Sequence, residues 1–294
     1  MSQTATLTEK KKINSKQITS KKNSSKKITS VLEALCVILV VIFLFLPIFW
    51  IVLTAFKPEA EVYTTSIFFQ ATLDNFRAVF GSAFNLGKYY SNSLIVVIVT
   101  LLITIPVSIL ASYSLSRFQM PGKQLFMFAI LATQFIPLIV NVIPFFTMFR
   151  DWGILDTTLA LIIVNLGHTI PYAIWLTKGF IDRIPIDMEE AAAIDGANKF
   201  QVLWHILLPL AKPGIITATV FCFVITWNEF MFSLVLTQRE AVTLPVALSF
   251  FNGEEGVLWN EMAAAGVIFV LPTVIFMLLV RKQFILGMTS GGVK

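Results

Sequence analysis

Long apolar stretches dominate the chain and alternate with short polar segments. Six of the stretches approach the roughly 20 residues that a helix needs to cross a bilayer core. They are about Ala34–Leu53, Leu94–Ser112, Leu125–Phe149, Leu159–Trp175, Ile215–Leu236 and Met262–Val280. Because backbone groups in lipid must bond within their own segment, each stretch is predicted to be a helix. The expected fold class is an all-α membrane protein with six transmembrane helices.

Prolines interrupt several of the predicted spans. Membrane helices tolerate them, so they are expected to mark kinks rather than helix ends. The positions concerned are Pro47, Pro106, Pro137, Pro144 and Pro272. The first span is longer than the core of a signal peptide and precedes no small-residue cleavage site, so it is predicted to be retained.

Composition agrees with a membrane protein, since 56% of the 294 residues are hydrophobic and only 13% are charged. Soluble domains carry about a quarter charged residues. The net charge of +5 comes from residues 1–30, which hold eight Lys and one Glu. This location argues against a nucleic-acid partner. It predicts a disordered basic tail near anionic lipid headgroups.

Lysine and arginine also predict the orientation. With the amino terminus inside, 17 of the 22 basic residues lie in cytoplasmic segments, as the positive-inside rule requires. Both termini are therefore expected in the cytoplasm, and so is the polar loop 182–213. The expected organisation is a cytoplasmic tail (1–30), a membrane domain (31–281) and a cytoplasmic C-terminal tail (282–294).

The loop 182–213 contains more ordered sequence than a simple connection needs. Asp187 and Glu190 have the spacing of a capping box, and the run Ala191–Ala193 favours a helix that another surface can approach closely. Gly196 then supplies a residue suited to a turn.

A second helix is predicted after that turn. Its apolar side chains recur at intervals of three and four residues, which predicts one continuous stripe. The stripe consists of Phe200, Leu203, Trp204, Leu207 and Leu208. Such a face must dock, and the residues alone leave open whether it docks on the chain's own spans or on a separate protein.

A motif in this loop resembles one found in the permeases of ATP-binding-cassette importers. Their pattern is E-A-A, three residues, G, nine residues, I, one residue, L-P. The matching positions are Glu190, Ala191, Ala192, Gly196, Ile206, Leu208 and Pro209. Ser112–Lys123, Trp227–Phe230 and Gly287–Lys294 are similar to the carbohydrate branch of these permeases, specifically its second, shorter subunit. The resemblance starts near Ile28 and leaves the Lys-rich start of the chain outside.

The resemblance implies a role for each motif residue. The loop would be a cytoplasmic coupling helix, preceding the fifth span and seated in a groove of an ATPase subunit. Glu190 would pair with a basic group there, and Gly196 would form the turn. Ile206, Leu208 and Pro209 would hold the second half against the membrane domain.

The resemblance also implies the partners and the function. A homologous permease, two ATPase subunits that bind ATP and Mg, and an extracytoplasmic solute-binding protein would complete a sugar importer in a bacterial cell membrane. The C-terminal tail would reach into the ATPase dimer. The chain itself lacks a G-x-x-x-x-G-K motif, so no ATP hydrolysis, catalytic residue or cofactor is expected in it. Cys36 and Cys222 lack metal-ligand spacing.

Polar residues within the predicted spans are candidates for a translocation pathway. Glu229 is an acid deep in the fifth span, where a pathway role and a structural role as a hydrogen-bonding link between helices both remain open. The neutral candidates suit sugar hydroxyls, and His168 is a further polar residue of this kind. These neutral candidates are Gln134, Asn141, Asn165 and Asn228.

Other functions remain as alternatives. An ion-coupled secondary transporter would use Glu229 and need no ATPase. An ATP-driven importer of a non-sugar solute would share the loop motif, and a membrane scaffold or sensor would lack a continuous cavity. The first and last of these do not account for the motif.

Overall fold

The structure is a computed structural model that describes residues 33–81, 84–253 and 256–290, with side chains described as far as residue 287. The tail predicted at residues 1–30 lies outside the described residues. The chain divides into two units at Thr54, and each is considered separately. The first contains most of helix α1 (Glu33–Phe56), which is long and apolar enough to cross a membrane.

The second unit, from Ala55 onward, is a bundle of helices joined by short connections. The helices of the bundle are α2 (Asp74–Phe80), α3 (Leu86–Arg117), α4 (Lys123–Ala132), α5 (Leu138–Asp151), α6 (Thr158–Ile181), α7 (Asp187–Ile194), α8 (Lys199–Val202), α9 (Leu208–Trp227), α10 (Met231–Leu236), α11 (Leu244–Ala247) and α12 (Trp259–Ser290). Short 3₁₀ turns cover Glu59–Glu61, Thr133–Phe135 and Leu248–Phe251, and a π-turn covers Leu203–Leu207. A two-stranded antiparallel hairpin joins β1 (Asn252–Gly253) to β2 (Gly256–Val257).

Five helices of the described chain can cross a membrane alone, and a bent pair raises the number of spans to six. The prediction of an all-α protein with six spans is confirmed in this form. The last span differs in extent from the prediction, because α12 continues to Ser290. Residues 282–290, predicted as a separate tail, therefore belong to the helix.

The third predicted span is not one helix. Lys123–Phe135 and Leu138–Asp151 meet at an angle of 92°. Pro137 has no N–H to donate and restricts the residue before it, and Ile136 accordingly has extended backbone angles of φ −75° and ψ 117°. Expecting Pro137 to kink a continuous helix was therefore wrong.

The fifth predicted span also ends early. Helix α9 stops at Trp227, and the short helix α10 starts only at Met231. The indole N–H of Trp227 donates to the carbonyl of Phe269 at 3.1 Å, and its ring stacks on Phe223 and Phe269. These contacts fix the end of α9 against α12.

Helices α3 and α6 form the polar-bonded centre of the bundle. The hydroxyls of Thr104 and Thr169 lie 2.7 Å apart, and Ser112 donates to the carbonyl of Ile174 at 2.9 Å. Thr104, Ser112 and Thr169 have no exposed surface. Small hydroxyl side chains allow close helix approach and hydrogen bonds where lipid offers none.

Candidate functional site

The candidate site is the segment 182–213, which leaves the bundle after α6 and returns to it in α9. Helix α7 starts with Ile186 as its N-cap residue, and no side chain caps it. The predicted capping box of Asp187 and Glu190 is therefore wrong, because Asp187 already lies within the helix. The box occurs one helix later, where Asn198 accepts from the N–H of Gln201 at 2.9 Å and Gln201 accepts from that of Asn198 at 2.8 Å.

The turn between α7 and α8 has the hydrogen bonds of a Schellman motif. The N–H of Ala197 donates to the carbonyl of Ala192 at 3.0 Å, and that of Gly196 donates to Ala193 at 3.1 Å. Gly196 has a φ of +87°, which side chains rarely adopt, while an added Cβ would meet nothing within 4 Å. Glycine is thus needed here for its backbone conformation, as its predicted place in the turn implies.

The predicted apolar stripe divides between two environments. Leu203 and Leu207 are buried beside Ile181, and Leu208 is half-buried against them. Phe200 and Trp204 instead remain 68% and 59% exposed, with their rings stacked at 6.2 Å. The predicted stripe therefore does not lie in one environment, because the side that carries Leu203 and Leu207 packs against the bundle and the side that carries Phe200 and Trp204 does not.

The motif residues divide in the same way. Ile206 and Leu208 are half-buried, and Ala192 packs against the cluster of Leu203 and Leu207. Pro209 is exposed in the first turn of α9. The remaining motif residues, Glu190, Ala191 and Gly196, are exposed.

We define the exposed surface of this segment as Glu190, Ile194, Phe200 and Trp204. Ile194, at the end of α7, is 87% exposed. Three large apolar side chains and an acid thus lie on α7, on α8 and on the π-turn that follows α8. Outside a membrane, exposed apolar groups of this size are typical of interaction surfaces.

A largely buried ion pair attaches α7 to the end of α3. Arg117, the last residue of α3, donates to the carboxylate of Glu189, and each side chain is only 11% exposed. Lys199 in α8 lies over the ring of Phe118, 4.5 Å from its centroid. Both helices of the segment therefore contact the end of α3. Sequence reasoning missed Arg117 and Glu189, since neither has a nearby partner in the chain.

Asp182 adds a second polar link at the same end of the bundle. It accepts from Lys178 at 2.6 Å and from Ser116 at 2.5 Å. Burial raises the pKa of this carboxyl, but the two hydrogen bonds and the charge of Lys178 outweigh burial and leave the pKa below its ordinary value. Asp182 therefore stays ionised and joins the end of α3 to the end of α6.

The five pathway candidates do not form one cluster of hydrogen bonds. Gln134 bonds to the adjacent Thr133 in the turn before the bend, and Asn165 is buried with its amide on the carbonyl of Leu161. Asn141 is half-buried in α5. His168 lies 6.5 Å from the ring of Phe232, measured between centroids.

The other two candidates lie in the break between α9 and α10. Glu229 accepts from the N–H groups of Phe232 and Ser233 at 2.7 and 3.1 Å, so its carboxylate caps α10. Asn228 is exposed and bonds back to Val224. The expected place of Glu229 inside a continuous helix was wrong, since the chain turns there.

At the opposite end of the bundle, Asp156 binds a turn of the chain. Its carboxylate accepts from four consecutive backbone N–H groups, at 3.0–3.3 Å. These belong to Gln238, Arg239, Glu240 and Ala241. Burial raises the pKa of Asp156, but the four hydrogen bonds dominate and leave it lowered. No sequence signal distinguishes this aspartate, because its partners lie more than 80 residues away.

Replacing Asp156 with asparagine should destabilise the protein in a pH-dependent way. Asn keeps the positive φ of 56° but loses the charge that binds the four N–H groups. Because the folded pKa lies below the unfolded one, the stabilisation is present above about pH 4 and disappears as the pH falls through the folded pKa. Thermal unfolding in detergent should show a loss of about 3 °C, equivalent to about 1 kcal/mol, at neutral pH.

The same measurement contains its own control. Arg150→Gln, which removes an exposed charge from the last turn of α5, should not shift the unfolding temperature. A deficit of Asp156→Asn that stays constant into the acid range would contradict the ionised role of the carboxylate.

Within the described residues, no group of three or more His, Cys, Asp or Glu side chains is placed to hold a metal ion. The site therefore consists of an exposed surface, a well-bonded turn and the polar links that hold both to the bundle. This arrangement suits transmission of force by contact.

Most of the chain is similar in sequence to known proteins. A family model described as the inner membrane component of binding-protein-dependent transport systems matches residues 105–287. The inner membrane ABC transporter permease protein YcjP of Escherichia coli K12 is 34% identical over 253 residues, covering 84% of this chain and 90% of that protein. The trehalose transport system permease protein SugB of Mycobacterium tuberculosis is 34% identical over 266 residues, covering 87% and 94%.

A solved structure shows the same architecture. It is a bacterial ABC transporter involved in the import of the acidic polysaccharide alginate, with a TM-score of 0.73 and 26% identity over 88% of this chain and 98% of that chain. Family, relatives and fold agree with a membrane protein of several helical spans. This multi-pass membrane chain belongs to the family of binding-protein-dependent transport system inner membrane components, the permease subunits of ABC importers.

Proposed function

We propose that this permease subunit serves a saccharide importer and that the segment 182–213 is its coupling site. The observation that carries the proposal is the exposed surface of Glu190, Ile194, Phe200 and Trp204 on a turn held by Gly196. An ATPase subunit with a groove lined by apolar and basic groups would bury the aromatic side chains and pair with Glu190.

In this proposal the chain hydrolyses no ATP. Two ATPase subunits bind ATP and Mg, a homologous permease completes the pathway, and a solute-binding protein delivers cargo to the outer face. The exposed surface then lies in the cytoplasm, as do both chain termini, in agreement with the positive-inside distribution of Lys and Arg. Closure of the ATPases would displace α7 and α8 and re-pack the helices between inward-open and outward-open states.

Saccharides are the substrate class that the comparisons favour. Trehalose is named for SugB, and trehalose and maltose are named for a Thermococcus litoralis permease 31% identical over 261 residues. Neutral amides among the pathway candidates, Gln134, Asn141, Asn165 and Asn228, suit sugar hydroxyls, and Glu229 adds an acceptor. Asn165 is buried, so direct contact with cargo rests mainly on the other four candidates.

The substrate class is tested with the reconstituted complex and its binding protein. ATP hydrolysis is measured with trehalose, maltose, longer maltodextrins and, as a non-sugar control, an amino-acid mixture. Stimulation by a saccharide supports the proposal, whereas stimulation by the amino acids alone would reassign the cargo. Uptake into vesicles without any ATPase subunit would instead support the ion-coupled alternative.

Replacing Glu190 with glutamine should weaken ATPase binding while leaving the permease folded. The side chain is exposed, so its loss affects a partner more than the chain itself. Loss of one charge pair at an interface costs about 2–5 kcal/mol when the pair becomes buried, roughly 30-fold or more in affinity. The ATPase recovered with affinity-purified permease measures the effect, and Asp187→Asn is the matched control on the same helix. Equal recovery with Glu190→Gln and wild type would contradict the assignment.

A further inference from the structure

Two adjacent acids of α7 lie in opposite environments. Glu190 is exposed, whereas the side chain of Glu189 is 11% exposed and bonded to Arg117. Adjacent positions on a helix point about 100° apart, so one acid faces outward and the other faces the bundle. A carboxylate that is already paired inside is not available to a partner.

Arg117 contacts more than Glu189. Its Nη2 donates to the carbonyls of Ile181 and Ile184 at 3.2 and 2.9 Å, and its Nη1 donates to Ser116 at 3.1 Å. Those carbonyls lie at and just beyond the end of α6, where the helix dipole favours a positive charge. One guanidinium thus joins the last residue of α3, the end of α6 and the first turn of α7.

Arginine suits this position because its planar group presents five donors in a fixed geometry. Lysine would bring the charge but could not reach an acid and two carbonyls in the same directions. Removal of either partner of a buried pair leaves the other charge without compensation, so the link is expected to be sensitive to substitution.

The elements that Arg117 joins are already bonded to each other. Thr104 and Ser112 of α3 bond to α6 in the interior, and Ser116 bonds to Asp182 at the end. Helix α7 has few such contacts of its own, since none of its residues is buried. Arg117 is therefore the main polar attachment of α7 to the α3–α6 pair among the described residues.

We infer that Arg117 is a positioning residue that makes α7 move with the α3–α6 pair, with Glu189 as its internal partner. This inference rests on the proposed coupling function. Glu190 contacts the ATPase, and the pair of Glu189 and Arg117 passes the resulting displacement of α7 into the bundle. Without the pair, the ATPase still binds, but α7 shifts without carrying α3.

The test measures the distance between two spin labels in the assembled complex. One label replaces exposed Ser91 near the far end of α3, and the other replaces exposed Asp187 on α7, with Cys36 changed to serine. Distances are recorded without nucleotide and after trapping with ATP, Mg and vanadate. The parent distance should change by no more than about 2 Å, the scale of shifts between packed helices. In Glu189→Gln and Arg117→Gln the distribution of distances between the two labels should broaden, and its mean should shift by about 5 Å, one helical turn.

Matched variants separate this inference from the proposed function. Recovery of the ATPase should remain near the parent level in Glu189→Gln and fall in Glu190→Gln. Arg150→Gln, which removes an exposed charge outside the segment 182–213, should change neither measurement. Failure of the parent to recover any ATPase would overturn the proposed function and this inference with it. ATPase recovery combined with an unchanged distance in Glu189→Gln would overturn the inference alone, as would a parent distance that shifts by a helical turn.

If Arg117→Gln fails to fold, the conservative variant Arg117→Lys still tests the inference. Arg117→Lys keeps the buried charge and should give an intermediate distance distribution, because it retains one contact and loses the others. If Arg117→Lys and Glu189→Gln both match the parent, the guanidinium does not position α7.

Discussion

Replacing Gly196 with valine is expected to reduce the recovery of ATPase subunits with the purified permease by roughly 5-fold or more. A β-branched residue at a φ of +87° is strained by about 1–3 kcal/mol, and the turn that aligns α7 with α8 would open to relieve it. Glu190 and Trp204 would then no longer be presented together. If binding of the ATPase requires the closed turn, a strain of about 1–3 kcal/mol lowers its affinity for the permease by roughly 5- to 150-fold.

Gly196→Asn is the matched control for backbone conformation. Asparagine adopts positive φ more readily than valine, and space is available because nothing lies within 4 Å of an added Cβ. Asn should therefore retain more ATPase binding than Val. Membrane insertion should be equal in both, and equal ATPase recovery in both would show that the turn does not position the surface.

Replacing Gly214 with alanine is expected to destabilise the bundle itself. The added Cβ would lie 2.1 Å from Cγ and 2.5 Å from Cβ of Phe180, so α6 and α9 would have to separate. Rotation of the ring cannot remove the contact with the Phe180 Cβ. Overpacking of this kind costs about 1–3 kcal/mol, or about 3–10 °C in unfolding temperature for a chain of this size.

Gly167→Ala provides the comparison, since that glycine lies in α6 with nothing within 4 Å of an added Cβ. It should be neutral or slightly stabilising, because alanine favours helix over glycine by about 1 kcal/mol. Thermal unfolding of both variants in detergent measures the difference. An unfolding temperature for Gly214→Ala equal to that of the wild type would refute the close packing of α6 on α9.

Much of the fold was predictable because membrane spans depend on local composition. About 20 apolar residues in lipid must form a helix whatever their neighbours are, and that reasoning located the spans. It failed at Pro137 and after Trp227, where the chain bends. Apolar character says that a segment lies in the membrane or core but does not say that its axis is straight.

In the candidate site, local features were predictable and features that depend on packing were not. Gly196 and Glu190 were predictable, since a turn glycine and a motif acid are local features. The burial of Leu203 and Leu207 apart from Trp204 was not predictable, because it depends on packing against Ile181 in a different helix. Glu229 was recognised as unusual, and its role as the cap of α10 appeared only with the break before that helix.

The sequence by itself determined the class of protein, the membrane spans and the loop motif that presents Glu190 and Gly196. These depend on apolar length, charge distribution and residue spacing, all of which act over a few helical turns. Only the tertiary structure decided which acid of α7 faces inward, because Arg117 lies 72 residues before Glu189. It likewise decided that Asp156 binds the turn at residues 238–241. Hydrogen bonds between distant residues form only when packing brings their helices together, and the spacing of residues along the chain does not record that packing.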